Sequence, residues 1–288
     1  QQDLGDSSLF DYIKEGRERG LFTPEVKEIL AQTIRQLVDF QYQGADELDF
    51  SVCYPQTMFD SRTVLWDLNY FKYAFLKPLG VHFLEDRLED DFERMAKVLT
   101  HEPTDTFLYR DFQSRNVMLF KGNPYFIDYQ GGRKGPVYYD LASFLWQAKA
   151  NYPDHLRNEL IDVYLEKLSE YRPVDADQFR VRLDQFVLFR TLQVLGAYGF
   201  RGYFEQKSHF LESIPFALKN LGRLLIKGFP EYPYLTQVLR EVIAQFDDQE
   251  AASRPNDFWF SFDSFTPNRE RIPLDSPMIN IYRGKRRI

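Results

Sequence analysis

Apolar residues fall at helical spacing through most of the chain, and the polar punctuation between them sets the element boundaries. Ser8 can cap a short helix that Gly20 ends. Thr23-Pro24 opens a longer one, a cap residue followed by proline at the first helical position. Val26, Ile29, Leu30, Thr33, Leu37 and Val38 give it one buried face, and Gly44 is expected to close it near Tyr42. A third helix is predicted from about Ser61 to Lys77, with Trp66, Tyr70, Phe71, Tyr73 and Phe75 read as core side chains, and Pro78-Leu79-Gly80 ends it. The acidic stretch Leu84–Glu93 reads as a solvated helix face, with Arg87 and Arg94 supplying opposite charges. Beyond residue 137 the pattern is again helical, over about 138–150, 153–170, 177–199, 207–227 and 233–247. Pro215 is expected to kink or break the fourth of these segments.

The periodicity changes between Thr106 and Leu145. Phe107–Tyr109 reads as a strand, followed by a polar loop and then a hairpin. Its arms are Val117–Phe120 and Tyr125–Ile127, joined by the turn formers Lys121-Gly122-Asn123-Pro124. Folding the chain back here places Asn116 and Asp128 side by side at the open end, with Asp111 five residues upstream of Asn116 in the same loop. Two carboxylates and an amide oxygen make a hard-oxygen site suited to Mg²⁺, which takes few protein ligands and leaves positions for substrate phosphates. The run Tyr109-Arg110-Asp111-x-x-x-x-Asn116, followed by Ile127-Asp128, fits a phosphoryl-transfer template. Asp111 would accept the proton of the attacking hydroxyl, and Asn116 and Asp128 would hold the metal.

This block resembles the catalytic segment of the aminoglycoside phosphotransferase / choline kinase-like family, relatives of the protein kinases. Its wording, RDFQSRNVML, FIDYQGG and GPVYYDLASFL, is most similar to the branch of bacterial cell-wall sugar kinases that phosphorylate N-acetylmuramate and N-acetylglucosamine. The resemblance covers roughly residues 1–228. It implies an α+β, mostly helical fold: a protein-kinase-like C-terminal lobe with a small catalytic β-hairpin. It also implies ATP and Mg²⁺ as cofactors and a sugar or amino-sugar as the small-molecule partner. The family's loop histidine is Tyr109 here, and Tyr109, Arg110 and Asp140 become the supports of the loop. Gln113 and Arg115 are the candidates for binding the acceptor. The opening QQDLGDSSL is similar to the segment that joins the two lobes in the family, whose backbone meets the adenine, so Asp3 and Leu4 are the nucleotide-binding candidates. Arg190, in a stretch similar to the sugar-kinase branch, and Arg201 are read as structural or solvent-facing, with a reach toward the cleft as the alternative.

A scan of the 15 glycines finds neither GxGxxG nor GxxxxGK[ST]. The sequence therefore reads as a kinase large lobe with the N-terminal lobe absent. Three readings stay open: a fragment, a split enzyme whose other lobe is a separate chain, or a non-catalytic scaffold that has lost ATP transfer. The expected organisation is a lobe over 1–248, then a linker and extension over 249–288 that faintly resembles the start of a second domain.

Composition adds limits. With 44% hydrophobic and 17% aromatic residues the 288-residue chain can bury a large core. Its net charge of −7 argues against a nucleic-acid surface. The single cysteine, Cys53, excludes an internal disulfide and reads as a small buried side chain. No run approaches the ~18 apolar residues of a membrane span, so the expected location is the cytoplasm.

Overall fold

The computed structural model describes residues 3–252. The expectations for 253–288, including a strand at Phe258–Phe262 and the basic tail Arg283–Arg287, lie outside the described residues. The described chain forms two compact units. One holds the chain up to Val64 together with Ala96–Thr191, and the other holds Leu65–Met95 with the chain from Leu192 onward.

The first unit carries the β-structure. Helix α1 (Leu9–Tyr12) is capped by Ser8, whose Oγ accepts from Asp11 N at 3.1 Å, and α2 (Lys14–Arg19) ends at Gly20 in the left-handed conformation. Helix α3 (Pro24–Glu47) starts as its sequence predicts, with Thr23 Oγ1 accepting from Val26 N at 3.3 Å. It does not stop at Gly44. Gly44 is an interior position of the helix, and a Cβ there would make ordinary contact with Phe107 at 3.6 Å.

Strand β1 (Thr106–Leu108) pairs antiparallel with β4 (Arg133–Gly135), and β2 (Val117–Phe120) pairs antiparallel with β3 (Asn123–Phe126). The second ribbon is the expected hairpin, its second arm starting two residues earlier and ending one earlier because the tight turn is Lys121-Gly122, both at positive φ. Strand β4 was not expected: Arg-Lys-Gly carries no apolar alternation, and its pairing with β1 supplies what its composition does not. The N-terminal segment joins the hairpin edge, with Leu119 N donating to Ser7 O at 2.8 Å and Ser8 bridging Met118. Helices α6 (Tyr138–Leu145) and α7 (Asp154–Ser169) follow, and α8 (Ala176–Gly199) begins in this unit. Tyr109, Phe112, Tyr139, Phe144, Tyr152 and Tyr164 are fully buried and make its core largely aromatic.

The second unit holds most of α4 (Ser61–Phe71), which continues as a π-helical turn over Lys72–Leu76, and the start of α5 (Glu85–Thr100). The end of α8 lies against this turn at the shortest possible range. A Cβ at Gly199 would sit 2.2 Å from Ala74 O, so only glycine fits. Helices α9 (Ser208–Leu211), α10 (Ile214–Leu225) and α11 (Pro233–Ala252) complete it. The chain breaks ahead of Pro215, which sits in the first turn of α10, and α11 runs past the expected linker start.

Two expectations for this unit are corrected. Phe71 and Phe75 are buried, but Trp66 and Tyr73 are 46% and 40% exposed, because α4 and the π-helical turn that continues it direct part of the aromatic set outward. The acidic face of α5 is not simply solvated. Asp91 is fully buried, pairs with Arg94 and accepts from Leu235 N at 2.7 Å. Glu85 and Glu89 both bind Lys72, whose side chain is itself buried.

Candidate active site

The residues singled out in the loop and hairpin meet in the first unit. In β2–β3, Val117 faces Phe126, and one step further out Ile127 N donates to Asn116 O at 3.0 Å. Asn116 and Asp128 are therefore neighbours at the open end. The Asn116 amide donates through Nδ2 to Asp111 O at 2.8 Å, which ties the loop to the hairpin and leaves its Oδ1 as an acceptor. Asp111, Asn116 and Asp128 thus belong to one backbone-linked cluster.

Buried groups hold this cluster in place. Asp140, at the start of α6, is fully buried and accepts from the backbone N–H groups of Tyr109 and Arg110, both at 2.8 Å, and from Gln41 Nε2 at 3.5 Å. Burial dominates its ionisation and pushes it up to about 6, against the lowering effect of those donors and of the Arg190 charge. Gln41 Oε1 accepts in turn from Tyr164 Oη at 2.6 Å, which extends the brace into α3 and α7. Ser114 N and Oγ both donate to Gln147 Oε1, at 3.1 and 2.7 Å.

Two residues of the site hold a left-handed backbone, Arg110 at φ 80° and Asp128 at φ 69°. Non-glycine residues adopt this region at a cost of roughly 1–3 kcal/mol each when their surroundings enforce it. At Arg110 the Asp140 carboxylate is the enforcing group, since it binds two successive N–H groups across that peptide. Tyr109 fixes the other end: its ring is buried and its hydroxyl donates to Ile127 O, directly before Asp128. Burial first, then the Asp140, Asp128 and Asp111 carboxylates, drive that hydroxyl far above the ordinary tyrosine range, which keeps it a donor. A tyrosine thus tethers the segment before Asp128 from the position where the family carries histidine.

The remaining predicted residues are placed as follows. Gln113 donates through Nε2 to Asp111 Oδ1. Arg115 lies over the Phe10 ring, 4.5 Å from its centroid, with Arg17 on the same ring at 3.7 Å. Asp3 Oδ1 accepts from Gly5 N at 2.8 Å, and Leu4 is half-buried. The sequence favoured a structural or solvent-facing Arg190 over one reaching the cleft, yet its NH2 lies 3.4 Å from Asp111 Oδ1. The signal available was an arginine as the one charge in a mostly apolar helical run, Val187 to Leu195, where a charge needs a partner.

Among the described residues no three His, Cys, Asp or Glu side chains group as metal ligands. The donor set here is smaller, Asp128 and the Asn116 amide oxygen. Both are hard oxygens, and among the described residues the Asp128 carboxylate makes no hydrogen bond or ion pair. Such a pair fits a cation that keeps most of its sites for water and phosphate.

A mostly helical fold with two short antiparallel ribbons, a bent loop ahead of one and an acidic residue behind it, is the architecture of a protein-kinase-like phosphotransferase. The chain belongs to the phosphotransferase enzyme family, whose model matches residues 5–176. It is 28% identical over 224 residues to the N-acetylmuramate/N-acetylglucosamine kinase of Neisseria meningitidis serogroup B, covering 75% of this chain and 64% of that protein. The enzyme of the same name from Pseudomonas aeruginosa is 25% identical over 244 residues, covering 82% of this chain and 67% of that one. The chain therefore spans about two thirds of the length of these relatives. A solved glucosamine kinase shares the fold, with a TM-score of 0.50 at 14% identity over 76% of this chain and 59% of that one. No helix of the described residues is long and apolar enough to cross a membrane.

Proposed function

We propose that this chain carries the base and metal-ligand residues of an ATP-dependent kinase acting on a sugar or amino-sugar hydroxyl. The observation that carries the reading is the joining of Asp111, Asn116 and Asp128 through Asn116, which bonds the loop on one side and the second hairpin arm on the other. The amino-sugar class is supported by the two sequence relatives named above.

In this reading the Asp111 carboxylate takes the proton of the acceptor hydroxyl as its oxygen attacks the γ-phosphorus of ATP. The new O–P bond forms while the bond to the β–γ bridging oxygen breaks, and ADP leaves with that electron pair. Asn116 Oδ1 and Asp128 would hold Mg²⁺, which when bound would neutralise charge on the transferring phosphate. The Asp3–Leu4 backbone, in the segment that runs on to the hairpin edge, takes the adenine. The exposure of Asp111, whose side chain is 55% accessible, suits a base that must reach an incoming hydroxyl.

The test is ATP-dependent phosphorylation of N-acetylglucosamine by the full-length protein and its Asp111→Asn variant. Turnover should fall by roughly 10²–10⁴ with the melting temperature unchanged. Equal turnover in the two proteins would remove Asp111 from the mechanism, and no transfer by either would favour a binding protein instead.

A further inference from the structure

Arg190 is held from several sides. It is only 8% exposed, its Nε donates to Ser143 Oγ at 3.1 Å, and its guanidinium lies over the Tyr139 ring, 5.8 Å from the centroid. A guanidinium this deeply placed needs charge compensation, and the Asp111 carboxylate is 3.4 Å from its NH2. Its charge also acts on the buried Asp140. Arg190 therefore stands between the acid that braces the loop and the acid the loop presents.

Among the described residues both contacts to the Asp111 side chain fall on one oxygen. Oδ1 faces the Arg190 NH2 and accepts from Gln113 Nε2, so Oδ2 is left to meet a hydroxyl proton. A carboxylate rotates about its last torsion with little hindrance. Fixing one oxygen from a rigid helix decides which lone pairs meet the acceptor.

We propose that Arg190, with Gln113, is a positioning residue that locks the Asp111 carboxylate through Oδ1 and reserves Oδ2 as the base. This deepens the kinase reading and rests on it. It also moves Gln113 from acceptor binding to orientation of the base. Arg190 is the stronger member, because its helix and the Ser143 contact fix it, whereas Gln113 is on the loop it stabilises.

The experiment is a kinetic double-mutant cycle in the full-length protein with Arg190→Ala, Arg190→Lys and Asp111→Asn. Arg190→Ala should lower kcat by roughly 10- to 100-fold, the scale of a small misplacement of a reacting group, while KM for ATP and acceptor stays within about twofold. Added guanidinium at a non-denaturing concentration should restore part of that kcat. In the Asp111→Asn background the same change should cost nothing further. If Arg190→Ala does not fold, Arg190→Lys keeps the charge and the stem, and its kcat should still fall several-fold with an unchanged melting temperature. Wild-type kcat in a folded Arg190 variant, an equal further loss in the Asp111→Asn background, or a change in KM alone would overturn the proposal. Failure of the kinase reading looks different: Asp111→Asn by itself would then keep full turnover.

Discussion

Two charged regions of this protein look alike in sequence and have opposite characters in the structure. In the α5 region the carboxylates are consumed by partners: Glu85 and Glu89 by Lys72, and Asp91 by Arg94 and a backbone N–H. In the loop and hairpin Asp140 and the Tyr109 hydroxyl bind the backbone, while Asp111 and Asp128 remain exposed, and among the described residues Asp111 is engaged through Oδ1 alone. A carboxylate already neutralised within the fold has little left to offer a substrate. One with a carboxylate oxygen to spare can still bind a metal or take a proton. Counting charges does not separate the two cases. Asking where each charge finds its partner does.

The contrast can be broken most severely at Asp140. Asp140→Asn removes one of two oxygens that accept from Tyr109 N and Arg110 N, and an unpaired buried N–H costs roughly 1–3 kcal/mol. Stability in denaturant should fall by that amount, and activity should fall further as Arg110 relaxes from its left-handed conformation. The pH dependence has a definite sign. The folded carboxyl is pushed up to about 6, above its value of about 3.9 in an unfolded chain, so the folded state holds this proton more tightly. Its contribution is fully present below about pH 4 and is lost as pH rises through about 6. The stability difference, wild type minus Asp140→Asn, should therefore shrink by up to about 3 kcal/mol across that window. A difference constant with pH would mean that Asp140 ionises as an ordinary surface acid.

The next largest effect is expected at Tyr109. Tyr109→Phe keeps the ring in the core and removes the donor to Ile127 O. Stability should drop by about 1–2 kcal/mol, read from the denaturant midpoint, and kcat should drop with it because the segment before Asp128 loses its tether. An unchanged kcat would separate this tether from the chemistry. The smallest effect belongs to the other region. Glu85→Gln removes a half-exposed carboxylate but leaves the buried Lys72 its Glu89 partner, so it should change stability by less than about 1 kcal/mol, with no change in kcat. A loss of activity there would erase the distinction between the two regions.

The sequence carried the hairpin and the spacing of Asp111, Asn116 and Asp128 because both are local. Turn formers, strand residues and a fixed offset all sit within some twenty positions. The start of α3 was legible for the same reason, through Thr23-Pro24. What the sequence did not reveal depends on partners far along the chain. Strand β4 exists because β1 accepts it, not because Arg133-Lys134-Gly135 favours extension. Gly44 does not end a helix: α3 runs through it to Glu47, and a Cβ there would meet Phe107 at ordinary contact distance. Gln41 and Arg190 reach the site from helices remote in sequence, and no offset from Asp111 announces them. Tyr109 is intermediate. Its departure from the family's histidine is visible in one letter, but the bond to Ile127 needs the fold.

The central claim is that Asn116 and Asp128 jointly hold a divalent cation beside Asp111. Electron paramagnetic resonance of Mn²⁺ titrated into the full-length protein with ATP, compared across wild type, Asp128→Asn and Glu85→Gln, tests it without any turnover. The account predicts saturable protein-bound Mn²⁺ in wild type and Glu85→Gln and its loss in Asp128→Asn. Identical Mn²⁺ binding in all three proteins would contradict it.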